Sequence, residues 1–136
     1  MRKVFADAGY LIAVINPRDE LHSKATEVGK SLEPCRIVTS EFVLLEVMKV
    51  LIRSGRKRLA YDAVMGLRQN PNTEIVPATS SLFREACRIY IQHSDKDWDA
   101  IDSSSYWIMK TKGIVDVLTY DHHFQQMGFR ALLRND

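Results

Sequence analysis

Four acidic residues that lie far apart in the sequence give the strongest indication of chemistry. They are Asp7, Glu46, Asp102 and Asp121. If they meet at one rim of the fold, their charges repel one another and raise their pKa values, and a bound divalent cation removes that penalty. A ligand set made only of oxygen atoms suits Mg²⁺ or Mn²⁺ better than zinc. Such ions polarise phosphate groups and lower the pKa of bound water, so the four acids predict a metal site for phosphoryl chemistry.

Three of these acids also have an ordinary explanation as helix caps. Asp7 and Asp121 each precede a segment with helical character, and an aspartate at that position caps the first turn. Asp99 and Asp102 are three residues apart and match a capping box, in which Asp102 reaches back to the backbone of Asp99. Capping is a sufficient reason for each acid alone, whereas a shared metal ion accounts for the whole set.

Glu46 lies in the middle of residues 42–52, the most apolar segment of the chain. The segment is too long for a typical strand and is rich in Leu and Met, so we predict a buried helix. Glu46 could form a surface pair with Lys49. A helix that is apolar nearly all round argues against that pairing, because a carboxylate in such a setting needs a cation, donors or a metal ion.

Other residue types supply no competing site. His122 and His123 directly follow Asp121, and we interpret them as structural or surface residues and not as metal ligands. The serine run at residues 103–105 belongs to no Ser-His-Asp pattern, and no glycine-rich phosphate loop is present, which argues against a nucleotide-binding enzyme.

Length and composition place the chain among ordinary globular proteins. Residues 1–136 are expected to form a single domain, and the net charge of +2 neither requires nor excludes nucleic acid as a partner. Cys35 and Cys87 show no metal-binding spacing, so we expect free thiols in a reducing compartment. No apolar run approaches the ~20 residues of a membrane span. Asp7 interrupts the apolar start and no cleavage site follows, so we expect a cytoplasmic protein without a signal peptide.

Short apolar segments alternate with helical patterns along the whole chain. This alternation favours an α/β fold with a parallel sheet covered by helices on both faces. In open sheets of this class ligands bind beyond the carboxyl ends of the strands, and Asp7 and Asp121 are expected there. We predict strands at residues 3–6, 36–39, within 73–77 and at 117–119, with a last edge segment at 129–133. We predict helices at residues 8–14, 22–31, 42–52 (capped by Ser40), 59–67, about 80–92 and 122–127, and one that carries Asp102 and ends at Gly113.

Three segments together resemble the PIN-domain family and, within it, the VapC-type ribonuclease toxins. They read TSEFVLLEV with Glu46, DWDAIDSSSYWIM with Asp102, and LTYDHHFQQMGF with Asp121; a short strand that ends at Asp7 completes the pattern. The resemblance covers almost the whole chain. It implies a three-layer α/β/α fold and Mg²⁺- or Mn²⁺-dependent cleavage of RNA, with the four acids as catalytic metal ligands.

The resemblance also implies partners. A VapC-type toxin is restrained by a small VapB-like antitoxin, and such proteins commonly form homodimers, so we expect both here, with no membrane partner. We expect the antitoxin to insert an Arg or Lys among the four acids and to lay an apolar segment along residues 42–52. One position departs from the family pattern: Asp99 stands where Ser or Thr is common, which adds negative charge near the site.

Two other functions remain open at this point. A non-catalytic PIN-like module would bind RNA or a protein, with the basic turn at residues 53–58 as its contact surface; a solvated helix end is the ordinary explanation of that turn. A nuclease acting on DNA would use similar chemistry.

Overall fold

The computed structural model describes residues 1–134, and a parallel five-stranded sheet forms its centre. The prediction of one domain over residues 1–136 therefore extends to two residues outside the described part. The strands are β1 (Lys3–Ala6), β2 (Arg36–Ser40), β3 (Thr73–Val76), β4 (Asp116–Leu118) and β5 (Arg130–Ala131). The helices are α1 (Ala8–Ile15), α2 (His22–Ser31), α3 (Glu41–Ile52), α4 (Lys57–Gln69), α5 (Ser80–Gln92), α6 (Ala100–Lys112) and α7 (His122–Gln126).

Strand β1 lies at the centre of the sheet, whose order is β3-β2-β1-β4-β5. All neighbouring strands are parallel, and Phe5 is in register with Val38 on one side and with Val117 on the other. Because parallel strands end at the same edge, the residues that follow β1 and β4 come together there. Parallel sheets need a crossover between strands, and the helices provide it on both faces. The predicted α/β/α fold with a central parallel sheet is confirmed.

Alternate residues of the central strands supply two hydrophobic clusters, one on each face of the sheet. Phe5 and Val117 belong to the larger cluster, whereas the adjacent residues Val4 and Leu118 belong to the smaller one. This division follows from the strand geometry, since successive side chains point to opposite faces. All four side chains are fully buried. Burying one such side chain stabilises the fold by about 1.5 to 3 kcal/mol, so the strands that position the acids are firmly held.

Several element boundaries differ from the sequence predictions by one or two residues. Helix α3 begins at Glu41, one residue early, because the Ser40 hydroxyl accepts a hydrogen bond of 3.1 Å from the amide of Val43 and caps it as predicted. Helix α4 begins at Lys57, so part of the expected basic turn is helical. Strand β4 ends at Leu118, so Thr119 lies just beyond the end of the strand, where its hydroxyl can form hydrogen bonds.

The prediction that helix α3 is buried nearly all round is wrong in part. Val43 and Val47 are fully buried, but Leu45 is 59% exposed and Ile52 is 55% exposed. Leu45 and Ile52 are seven residues apart, so they share one face of the helix. Apolar side chains on this face contribute nothing to the core, and the face is available for contact with another molecule.

Both cysteines are free thiols, as predicted, with Cys35 half-buried and Cys87 exposed. Within residues 1–134, no helix has both the length and the apolar character needed to cross a membrane.

Candidate functional site

Asp7 directly follows β1 and is 8% exposed at the carboxyl edge of the sheet. Although it occupies the cap position of α1, its side chain makes no capping hydrogen bond, so capping does not account for it. The Oδ2 atom instead accepts a hydrogen bond of 2.9 Å from the hydroxyl of Thr119. Burial is the main reason that the pKa of Asp7 is raised to about 6. The charges of Asp121 and Glu46 act in the same direction, whereas hydrogen bonds from Thr119 and from the backbone of Ala8 oppose the rise. The carboxylate therefore lies in a setting that favours a nearby positive charge.

Thr119 joins the two acids that follow β1 and β4. Its hydroxyl donates to Asp7 and accepts a hydrogen bond of 3.0 Å from the backbone amide of Asp121. The residue is buried, so this hydroxyl uses its donor and an acceptor within the protein. Sequence reasoning missed Thr119 as part of the site. The available indication was its place between the end of the strand and Asp121, where a hydroxyl reaches both neighbours.

Asp102 lies in the first turn of α6, and the predicted capping box is confirmed. Its amide donates to Asp99 Oδ1 at 2.7 Å, and the Asp99 amide donates to Asp102 Oδ2 at 3.2 Å. Capping does not explain why Asp102 is buried, with only 7% of its surface exposed, since its capping partner Asp99 is exposed to solvent. Burial, followed by the charge of Asp99 and those of Asp7 and Asp121, raises the pKa of Asp102 to about 7. Asp102, the buried member of the pair, is thus an acid whose charged form is disfavoured in the folded protein.

Asp121 caps α7, as predicted, because its Oδ1 atom accepts a hydrogen bond of 2.9 Å from the amide of His123. The same histidine connects α7 with α6. Its Nδ1 atom lies 3.2 Å from Asp102 Oδ2 and 3.2 Å from Asp121 Oδ1. Both contacts are made by the same ring nitrogen, and which partner donates depends on the tautomer of the ring. His123 is therefore a member of the site, which its position in the sequence alone did not indicate.

A compact group that could ligate a metal ion lies at the start of α7. One ligand atom from each of Asp121, His122 and His123 falls within 4.8 Å of the others. Among the described residues, no three of the four predicted acids meet this distance limit together. The group includes two imidazoles, which suit transition metals, whereas an all-carboxylate set suits Mg²⁺ or Mn²⁺. The interpretation of both histidines as non-ligands remains a prediction, as does ligation by the four acids.

Glu46 is half-buried in the middle of α3 and faces the same group of acids. Burial raises its pKa, the charges of Asp99 and Asp121 raise it further, and Lys49 opposes them. No ion pair within 4.0 Å joins Glu46 to Lys49, so a direct salt bridge does not account for the position of Glu46. The charge on Lys49 is nevertheless close enough to act on the Glu46 carboxylate.

The structure brings the four predicted acids into one electrostatically coupled group at the carboxyl edge of β1 and β4. Burial is the largest cause that raises the pKa of Asp7, Glu46 and Asp102, and the charge of Asp121 also raises the pKa of all three. Asp99, which lies outside the set, is the largest charge effect on Glu46 and Asp102. Coupled buried carboxylates are destabilising unless a proton or a cation neutralises them. An oxygen-only donor set in this state fits the ligand preference of a hard divalent cation.

Comparison with known proteins supplies an independent result. A family model, PIN domain, matches residues 4–130, which contain all four acids. Two curated relatives, each named 23S rRNA-specific endonuclease VapC20, come from Mycobacterium tuberculosis strains CDC 1551 / Oshkosh and ATCC 25618 / H37Rv. Each is 27% identical over 126 residues, which cover 93% of this chain and 95% of the relative. The crystal structure of Mycobacterium tuberculosis VapC20, described as a Sarcin-Ricin loop cleaving toxin, superposes with a TM-score of 0.85 at 26% identity. That match covers 93% of this chain and 96% of the other. The chain belongs to the PIN domain family.

Proposed function

We propose that this protein is a metal-dependent endoribonuclease that hydrolyses RNA phosphodiester bonds, and that it is the toxin of a type II toxin–antitoxin pair. The observation that carries the proposal is the coupled group of Asp7, Glu46, Asp102 and Asp121 at the carboxyl edge of the sheet. Two relatives that share most of the chain's length are named as endonucleases specific for 23S rRNA, which supports RNA as the substrate.

The four acids would hold Mg²⁺ or Mn²⁺ and act as the catalytic set. When bound, such an ion polarises the phosphate and lowers the pKa of water. The protein itself fixes the ligands: Thr119 holds the Asp7 carboxylate, and the box with Asp99 fixes the first turn that carries Asp102. Because Asp7 and Asp102 are buried, their carboxylates are poorly hydrated and interact more strongly with a nearby positive charge than exposed acids would.

Cleavage of labelled RNA with and without metal tests this function. The protein is incubated with 23S rRNA and unrelated RNAs in Mg²⁺, in Mn²⁺ and in a chelator, with DNA of matching sequence as a parallel substrate. We expect RNA fragments only when a divalent ion is present. RNA binding without cleavage under every condition would favour the non-catalytic PIN-like module, and cleavage of DNA alone would favour a DNA nuclease.

Two substitutions of His123 distinguish the roles of its ring nitrogens Nδ1 and Nε2. Since Nδ1 contacts Asp102 and Asp121, we expect His123→Asn, whose amide nitrogen can replace Nδ1, to retain most of the activity. His123→Gln, whose amide nitrogen replaces Nε2 instead, is expected to lose about 10- to 100-fold, the usual cost of removing a partner of metal ligands. Cleavage rates and the Mg²⁺ concentration for half-maximal activity give the readouts. Equal losses in both variants would contradict the assigned role of Nδ1.

A VapB-like antitoxin is the expected protein partner, and an apolar groove along α3 suits it. A groove of about 570 Å³ lies between α3, α4 and β3. Its apolar lining includes Leu44, Leu45, Met48, Val64, Met65 and Ile75. An apolar segment of the partner fits this groove in the manner of a helix laid into a hydrophobic cleft. An Arg or Lys of the partner can then pair with the acids of the site.

Mg²⁺ is expected to weaken antitoxin binding, because the ion and the inserted side chain compete for the same carboxylates. Calorimetry with a VapB-like protein should show an affinity about tenfold lower at high Mg²⁺ than in a chelator, which corresponds to roughly 1.4 kcal/mol. Asp102→Asn is expected to lower the affinity only modestly, since the apolar contact persists. An affinity that does not change with Mg²⁺, combined with full ribonuclease activity of the complex, would exclude this form of inhibition.

The assembly and location of the protein belong to the same proposal. We propose that residues 1–136 act as one domain in a cytoplasmic homodimer, in keeping with the family resemblance. Light scattering over a wide concentration range tests the dimer, and a constant mass of 15.6 kDa would exclude it.

A further inference from the structure

A row of positive charge extends along α3 away from the acidic site. Arg53 follows the helix as its C-cap residue and keeps helical backbone angles (φ −62°, ψ −27°). Seven residues separate it from Glu46, so it lies about 10 Å farther along the axis and within about 20° of the same side. Lys49 lies between them, three residues after Glu46 and four before Arg53, where neighbouring side chains share a face. This face of α3 thus begins at an acid of the site and continues with two cations.

Both cations are available for an external partner. Lys49 and Arg53 are exposed, and among residues 1–134 neither forms an ion pair with a carboxylate. Arg58, in contrast, is paired with Asp62 at 3.1 Å. Lys49 is three residues after Glu46 in α3, so the row starts within one helical turn of an acid of the site. After Arg53, Gly55 adopts a positive φ of 70° in the turn to α4, and Lys57 continues the positive charge as the first residue of that helix.

The acidic site by itself repels the substrate that the proposed function assigns to it. An RNA strand carries one negative charge per nucleotide, and proteins that hold single strands use a positive groove that follows the backbone. We propose that Lys49 and Arg53 form a basic track that binds phosphates of the RNA flanking the cleaved bond. This inference rests on the proposed ribonuclease function and adds to it the surface that holds the substrate.

A double substitution with a matched control tests the track. The variant K49Q/R53Q removes one lysine and one arginine from α3. The control K30Q/R84Q removes the same two charges from α2 and α5, where both residues are exposed. Lys30 also lies in the last turn of its helix, as Lys49 does, so the control reproduces any effect of losing a cation at a helix C-terminus.

Binding of a labelled single-stranded RNA of about 12 nucleotides is measured against salt concentration, in an Asp7→Asn background that prevents cleavage. We expect the slope of log affinity against log salt to shrink by about 1.4 in K49Q/R53Q, since each phosphate contact contributes about 0.7. The slope for K30Q/R84Q should equal that of the parent. Equal slopes for the two double variants would overturn the track. This holds even if K49Q/R53Q lowers the melting temperature or weakens the binding of an acidic protein, because neither effect shows contact with RNA phosphates.

Cleavage assays on proteins that retain Asp7 test the basic track and the proposed ribonuclease function separately. We expect K49Q/R53Q to cut a short RNA of about four nucleotides at the parent rate, while its KM for the longer RNA rises about tenfold. A loss on the short RNA as large as that on the long RNA would assign the two cations to the metal site and overturn the track. If the parent cuts no RNA in Mg²⁺ or Mn²⁺, the proposed function fails, whatever the slopes show.

Discussion

Asp7→Asn is expected to lower RNA cleavage by at least about 100-fold while leaving the fold intact. Removing even an outer partner of a metal site costs about 10- to 100-fold, so the loss of a ligand charge should exceed that range. The asparagine side chain has the same shape and can still accept the hydrogen bond that Thr119 donates to Asp7. The expected defect is therefore one of charge, and a circular dichroism spectrum equal to that of the parent protein checks the fold.

The same substitution is expected to stabilise the protein when metal is removed. The folded pKa of Asp7 is about 6 against an ordinary value of 3.8, so the folded state retains a proton that the unfolded chain has already lost. The favourable contribution of this carboxyl is complete below about pH 4 and disappears as the pH rises through about 6. Asparagine has no charge to bury, so the variant does not lose stability through this group as the pH rises. Above about pH 7 the variant should therefore be more stable than the parent by roughly 1 to 3 kcal/mol.

Thermal unfolding in a chelator measures this effect at two pH values. We expect Asp7→Asn to melt several degrees above the parent at about pH 8 and close to it at about pH 4. Added Mg²⁺ should raise the melting temperature of the parent by mass action and have little effect on the variant. A variant that cuts RNA at the parent rate with the same metal dependence would show that Asp7 is not a ligand.

The sequence was sufficient for the fold because its local patterns and its global arrangement agree. Apolar runs bounded by turn residues marked the strands, and a β1 segment that ends at Asp7 required no tertiary information. Helix α3 shows the limit of that reasoning. Its length and composition indicated burial, but the exposure of Leu45 and Ile52 depends on where α4 and the sheet leave surface uncovered. Periodicity in an almost uniformly apolar segment cannot distinguish these sides.

The acids of the site were predictable from the sequence, but the polar residues that support them were not. Asp7 and Asp121 follow strands that the fold class places side by side. Thr119 and His123 enter the site through single side-chain atoms whose reach depends on where β4 ends and α7 begins. Their roles therefore required coordinates, and the sequence near Asp121 offered only adjacency.

Asp102→Asn and Asp99→Asn are expected to give opposite results, although the two residues form one capping box. Asparagine caps helices as well as aspartate does, and its side-chain oxygen accepts the same backbone hydrogen bonds. If capping were the only role of the pair, both variants would retain activity and stability. Asp102, however, is the buried member in contact with His123, whereas Asp99 is exposed.

We therefore expect Asp102→Asn to lose at least about 100-fold in cleavage rate, as for any ligand of the metal. Asp99→Asn should remain within about threefold of the parent, since the side chain is exposed and asparagine preserves the helix cap. In a chelator above about pH 7, both should be more stable than the parent, because Asp99 is the largest charge effect that raises the pKa of Asp102. Cleavage assays and melting curves on the two variants decide the matter. A loss of activity in Asp99→Asn as large as that in Asp102→Asn would make Asp99 a ligand, and full activity in both would reduce the pair to a helix cap.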